Sequence, residues 1–504
     1  MGIVIRQTVK GSIANYIGVA FGFINILFIM TWIFSEEEVG LIRMLIENHV
    51  ALAGFAMMGI TSSMYRYYPY FNDGNNPDHL NGFYFWSSLV PFIGFLAISL
   101  LLVAAKSWIS ELFQENAGAF LEYYLLLIPM SFTYVFFGVF ETAAAIEGRI
   151  VVPKILKEVV LRGLSTVVFF AYYLEWLTFH QCILALMGTY FIPLILIVAY
   201  FRKLRKVVLR PQMQFIKDRP KMVKDFIGYT ALITVGSVSG MLLSKLDQIM
   251  LSSQKGLDLS GIYAIAFYVA MIIEIPRRAL IQMIHPTIST YMKEGNIFKT
   301  EEMYKRVGTL LFIPGLFLLM GLLVNLDNIY AIMPNGERYI SGISVIVLIS
   351  IAKALEMTTI TGQVIVMHSR FYYILFVMTV LTTLLGIYLN LWLIPGLGIM
   401  GAAIATFITI IAQQLIVVLS IWFKLKIHPF TISLLRLSLL FIGVLSGHFV
   451  LPGLGPPVID LILRSFLFPF LFIWGVYKLK VNSETNQFID NVIQRIKDRN
   501  FKLF

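Results

Sequence analysis

FHQCILALMGTYFIPLILIVAY, residues 179–200, runs directly into FRKLRKVVLRPQMQFIKDRPKMVK, residues 201–224, and then into DFIGYTALITVGSVSGMLLSKLDQIM, residues 225–250. The first stretch is long and apolar enough to cross a bilayer as one helix, which takes roughly 20 residues. The middle stretch carries nine Lys and Arg between Arg202 and Lys224. The third returns to apolar residues. Apolar span, basic loop, apolar span is the pattern of a chain that crosses a membrane and returns, with its cations left on the cytoplasmic side.

Worked outward, the pattern holds along the whole chain. Fourteen apolar segments are expected, at 11–34, 41–64, 82–104, 119–143, 155–174, 179–201, 226–250, 260–285, 307–325, 339–362, 372–394, 398–422, 431–451 and 458–477. Of the 39 Lys and Arg, only Lys106, Lys255 and Arg338 fall in the alternate inter-segment stretches assigned to the outside. Most of the rest lie in the other loops and the two tails. A soluble protein has no reason to show that asymmetry. Both termini are therefore expected in the cytoplasm. Composition agrees: 58% of residues are hydrophobic and 13% charged, and mean hydropathy is +0.82. A soluble domain carries about 25% charged residues. The runs are too long and too uniformly apolar for the alternating strands of a β-barrel. The expected fold is all-α and integral to the membrane.

The formal charge of +11 sits mainly in cytoplasmic loops, where anionic inner-leaflet lipid is its natural partner and nucleic acid is not. The single cysteine, Cys182, lies in a span and excludes an internal disulfide. The first segment reads as a retained span, not a cleaved signal. The basic stretch after span six divides the chain. The expected organisation is an N-terminal six-helix lobe (1–201), a basic linker (202–225), a second six-helix lobe (226–425), a further helix pair (426–480) and an amphipathic tail (481–504). In that tail Phe488, Val492 and Ile496 form an apolar stripe suited to the inner surface. Val39-Gly40-Leu41-Ile42 opens span two and Ser260-Gly261-Ile262-Tyr263 opens span eight, each just past a short outside loop. Duplicated halves of this kind occur in transporters.

Ionisable residues inside spans are costly and usually face a cavity or one another. Span two holds Arg43, Glu47 and His49; span five, Glu158 and Arg162; span seven, Lys245 and Asp247; span eight, Glu274, Arg277 and Arg278 around Pro276; span ten, Lys353 and Glu356. Several of these are three or four residues apart and can pair within one helix. Lys245 and Asp247, two apart, cannot. Arg277 and Arg278 exceed Glu274 by one charge, and guanidinium suits phosphate oxygens through paired hydrogen bonds. His285 and His368 are expected as polar residues at the cytoplasmic ends of their spans, and Tyr65, Tyr67, Tyr68 and Tyr70 as an interfacial belt. No phosphate-binding GxxxxGK[ST] loop, HExxH or CxxC occurs, and no outside loop is long enough for a polymerase or ligase site. The chain is expected to move a substrate and not to react with it.

Several stretches resemble the Wzx-type polysaccharide or O-antigen flippases, within the superfamily of multidrug, oligosaccharidyl-lipid and polysaccharide exporters. They are Val9-Lys10-Gly11-Ser12, Glu38-Val39-Gly40-Leu41, Arg66-Tyr67-Tyr68-Pro69, and the run Leu397 to Thr406. The most specific is Lys245-Leu246-Asp247-Gln248-Ile249-Met250-Leu251 followed by Ser260-Gly261-Ile262-Tyr263. The resemblance implies two six-helix lobes around a cationic cavity in the bacterial inner membrane. It implies transfer of an undecaprenyl-diphosphate-linked oligosaccharide from inner to outer leaflet, with membrane lipids and glycan polymerase or assembly proteins as further partners. Carried over by position, Arg43, Lys245, Arg277, Arg278 and Lys353 would line the substrate cavity. Asp247, Glu274 and Glu356 are the candidates for coupling to a proton or sodium gradient, and no cofactor is expected. Span one carries no charge, which separates this chain from the arginine-rich first lobe of the lipid II flippases. A drug/cation antiporter, a lipid II flippase and a non-transporting scaffold for glycan assembly are the rival readings.

Overall fold

The computed structural model describes residues 17–72, 77–113, 118–204, 220–243, 245–453, 455–480, 485–487, 490 and 494. Among them the chain is helical throughout, with no strand. Eleven helices are long and apolar enough to cross a membrane. This is a multi-pass membrane protein. A shorter apolar helix, α1 (Ile17–Ile33), lies at the first expected span. Helices also occupy the fifth and seventh expected positions without counting among the eleven. The fifth is α6 (151–173), which carries Lys154, Lys157, Glu158 and Arg162, and the seventh position holds two helices. The basic linker (mostly 205–219) and the apolar stripe of the tail (Phe488, Val492, Ile496) lie outside the described residues.

Contacts divide the chain into two compact units, Met1–Ala264 and Ile265–Phe504. The first is built on α2 (Glu36–Met57), which packs against α4 (Pro77–Ala104), α5 (Gly118–Ile146) and α8 (Pro220–Leu243). A capping box starts α2: the Ser35 hydroxyl accepts from the Glu38 N–H, and the Glu38 carboxylate accepts from the Ser35 N–H at 2.9 Å. Those two bonds satisfy orphan donors of the first turn. The second expected span is not one helix. Met58 and Gly59 both take left-handed backbone angles, φ 47° and 63°, and the chain resumes as α3 (Ile60–Phe71). Glycine accepts that conformation freely and methionine does not. Ser63 on α3 and Thr230 on α8 share a hydrogen bond of 2.7 Å. The tyrosine belt divides: Tyr65 and Tyr70 are exposed, Tyr67 is buried against Phe226, and Tyr68 donates to Glu147 at 2.7 Å.

The two glycine motifs that open spans two and eight meet in this unit. A Cβ on Gly40 would stand 1.8 Å from the carbonyl oxygen of Leu257, and one on Gly261 would stand 2.3 Å from that of Glu36. The start of α2 thus crosses the start of α10 (257–293) backbone to backbone, at the ends expected on the outside.

In the second unit α12 (Gly336–Met367) packs against α11 (Ile297–Leu323) and α14 (Ile399–Leu425), and α13 (Tyr373–Leu397) runs beside α14. Pro276 follows a 3₁₀ turn at Met271–Glu274 and occupies the first turn of the renewed helix. A missing N–H is tolerated there. Pro91 and Pro314 lie inside α4 and α11.

The last two helices, α15 (Ile432–Val450) and α16 (Pro457–Lys478), pack on α11. A buried polar network secures them. Arg464 donates to Asp460 at 2.9 Å and to the Pro452 carbonyl at 3.0 Å, and lies 2.5 Å from His448 Nδ1. Asn328 donates to Asp460 at 2.6 Å. Removing one partner of a buried pair typically costs about 3–5 kcal/mol. Arg464→Ala is expected to lower the thermal unfolding temperature in detergent by several degrees. Equal unfolding temperatures would show that the network does not anchor the pair.

His285 and His368 come together, Nδ1 to Nε2 at 3.3 Å. His368 sits just past the end of α12, where burial, and then the neighbouring His285, hold its pKa below the usual 6.5. The unfolded chain therefore binds a proton there more readily than the folded one. The resulting stability is present in full above pH 6.5 and is lost as pH falls toward the lowered folded value. His368→Asn is expected to flatten the fall in unfolding temperature between about pH 7.5 and 5.5. An unaltered slope in the variant would contradict this.

Candidate functional site

Two clusters of intramembrane charges, one in each unit, join residues from different helices and differ in composition. In the first, Arg43 and Glu47 stand one turn apart on α2, and Lys245 lies at the break between α8 and α9 (Leu246–Lys255). The break frees the Lys245 side chain to reach across to α2. Arg43 donates to Glu47 Oε1 and Lys245 donates to Oε2. Side-chain exposures of 10% for Arg43, 20% for Glu47 and 23% for Lys245 leave the group sheltered but reachable. Among the described residues, two cations share this one carboxylate.

Asp247 is also buried, at 5% exposure, but turns elsewhere. It accepts from the Tyr263 hydroxyl and from the Gln248 N–H at 3.0 Å. The spacing of Asp247 and the Gly-Ile-Tyr motif thus has a physical basis, since the two ends of the motif are hydrogen-bonded. His49, fully buried, lies 3.2 Å from the Leu45 carbonyl and packs edge-on against Tyr134 and Tyr190. On α6, Arg162 pairs with Glu158 at 2.7 Å and donates to the Gly18 carbonyl at 2.6 Å, tying α1 to α6.

In the second unit Glu274 ends the 3₁₀ turn, Arg277 follows Pro276 at the start of the renewed helix, and Lys353 and Glu356 project from α12. Arg277 bonds to Glu274 directly and to Glu356 at 2.7 Å. Lys353 bonds to Glu356 at 3.0 Å and lies 3.9 Å from Glu274. Two cations and two carboxylates form a neutral square. The Arg278 side chain lies outside the described residues, so the surplus charge expected from it is not part of this geometry.

The structure therefore brings Arg43 to Lys245, and Arg277 to Lys353, each pair through an acidic intermediary. The importance of Glu47 as the shared acceptor was not read from the sequence, although its i,i+4 relation to Arg43 was. Asp460 and Arg464 were also passed over, although they carry that same spacing inside an apolar span.

No protein-family model matches the chain, and no curated protein sequence matches it. Solved structures do. The lipid II flippase MurJ in an inward closed conformation superposes with a TM-score of 0.70, at 13% identity, over 94% of this chain and 100% of that one. A multidrug resistance MATE family transporter of the MOP superfamily, facing inward, gives 0.64 at 14% identity over 83% of this chain and 98% of that one. A MOP superfamily transporter from Pyrococcus furiosus, described as having a binding pocket of reverse polarity, gives 0.59 at 14% identity over 84% and 95%. The chain has the fold that these flippases and transporters share.

Proposed function

We propose that the chain is a flippase for a lipid-linked oligosaccharide. It moves an undecaprenyl-diphosphate-linked glycan from the inner to the outer leaflet of the bacterial inner membrane by alternating access. The observation that carries this reading is the Arg43–Glu47–Lys245 cluster, where a guanidinium and an ammonium from different helices converge on one carboxylate in a sheltered, reachable place. A guanidinium and an ammonium held together present the donors that a diphosphate requires. The sugars would occupy the hydrated interior and the prenyl chain would stay in lipid. The chain's resemblance to the Wzx-type flippases supports the glycan as cargo, and the fold shared with a lipid II flippase supports a lipid-linked substrate.

The fold shared with multidrug MATE transporters supports a second reading, an exporter of organic cations. That activity calls for surplus negative charge, and the first-unit cluster brings two cations to one carboxylate. Proteoliposomes distinguish the two. The expected result is protein-dependent movement of a fluorescent undecaprenyl-diphosphate oligosaccharide between leaflets, with no efflux of a cationic dye. Dye efflux without lipid movement would replace the flippase reading with the exporter.

A further inference from the structure

We propose that Glu47 is the resident anion of the headgroup site and is displaced from Arg43 and Lys245 when the diphosphate binds. This inference rests on the flippase reading and assigns Glu47 a role within it. The carboxylate gives each of its oxygens to a different cation, Oε1 to Arg43 and Oε2 to Lys245. Lys245 lies 198 residues from Glu47 along the chain, and Glu47 stands where a bridging anion must stand to touch both cations. A carboxylate offers two oxygens to this pair, and a diphosphate offers more, with the tetrahedral spread that lets a guanidinium fork and an ammonium bind at once.

Charge balance separates this cluster from the other one. In the second unit each cation has its own carboxylate within the square formed by Glu274, Arg277, Lys353 and Glu356. Among the described residues, an incoming anion there would meet two acidic residues matched to two cations. In the first unit it would meet one acidic residue and two cations. Without an anion, Arg43 and Lys245 would repel each other in poorly hydrated surroundings, where unpaired charge is costly. Glu47 keeps the empty site intact. Headgroup binding then becomes an exchange of one anion for another, and release becomes the return of Glu47. Such an exchange keeps affinity moderate, as a carrier that must let go of its cargo requires.

Inorganic pyrophosphate, titrated calorimetrically into the purified full-length protein, is the probe. Glu47→Gln removes the competing charge while keeping the side chain's size, and Arg43 stays cationic whatever its surroundings. Glu47→Gln is expected to bind pyrophosphate about tenfold tighter than the native protein, or more. Arg43→Ala/Lys245→Ala is expected to lose binding. Equal or weaker binding by a folded Glu47→Gln protein overturns the proposal. If that variant does not fold, Glu47→Asp, one methylene too short to hold both cations, is expected to bind severalfold tighter. Unchanged or weaker binding by the aspartate variant likewise overturns it. If Arg43→Ala/Lys245→Ala binds like the native protein, the headgroup site itself is wrong and both readings fall. If that double variant loses binding while the Glu47 variants show no gain, only the displacement falls.

Discussion

Gly40→Val is expected to abolish transport while leaving a protein that still inserts and folds. The added side chain meets backbone: its Cβ would lie 1.8 Å from the Leu257 carbonyl oxygen and 2.7 Å from the carbonyl carbon. No rotamer change relieves a clash with main chain, so the helix starts must separate by more than about 1 Å, in surroundings packed as densely as a crystal. Overpacking of this kind costs about 1–3 kcal/mol, occasionally more. Under alternating access, that cost falls on whichever state holds the crossing closed. Both helix starts follow loops assigned to the outside, so the state penalised is the one closed toward the outside. Gly261→Val, with its Cβ 2.3 Å from the Glu36 carbonyl oxygen, is expected to act in the same way. Gly188→Ala, where a Cβ would meet nothing within 4 Å, serves as the control and should transport normally. Leaflet-to-leaflet movement in proteoliposomes, alongside thermal unfolding, separates lost transport from lost folding. Native transport by Gly40→Val would show that the crossing never needs to close.

Much of this architecture was legible from hydropathy and charge, because a helix in a bilayer must be long and apolar and its loops sort their cations. The intrahelical pairs were legible for a related reason: residues three or four apart share a helix face, as Arg43 and Glu47, Glu158 and Arg162, and Lys353 and Glu356 do. The partners across helices were not. Lys245 reaches Glu47 over 198 residues and Arg277 reaches Glu356 over 79, separations that leave no periodic trace. The reach of Lys245 also depends on the break between α8 and α9, inside what reads as one apolar span. The break at Met58 and Gly59 was hidden in the same way, since methionine gives no signal for a left-handed turn. The glycine motifs at Gly40 and Gly261 were visible as a repeat, but only the structure shows that the two copies touch.

The Arg43→Ala/Lys245→Ala variant carries the second large effect. Each substitution removes a cation whose hydrogen bond to an anionic group is worth about 1.5–3 kcal/mol. Together they leave Glu47 as the charge that faces the headgroup in this cluster, which turns attraction into repulsion. Transport of a diphosphate-linked lipid is expected to fall at least about a hundredfold, as roughly 3 kcal/mol implies. Arg277→Ala/Lys353→Ala, drawn from the neutral square, is expected to cost stability with a smaller loss of transport. The decisive measurement is therefore the rate at which fluorescent undecaprenyl-diphosphate oligosaccharide crosses between leaflets in liposomes holding either the native protein or folded Arg43→Ala/Lys245→Ala. The expected result is rapid crossing with the native protein and background crossing with the variant. Equal rates in the two would contradict the assignment of this cluster as the site that carries the headgroup.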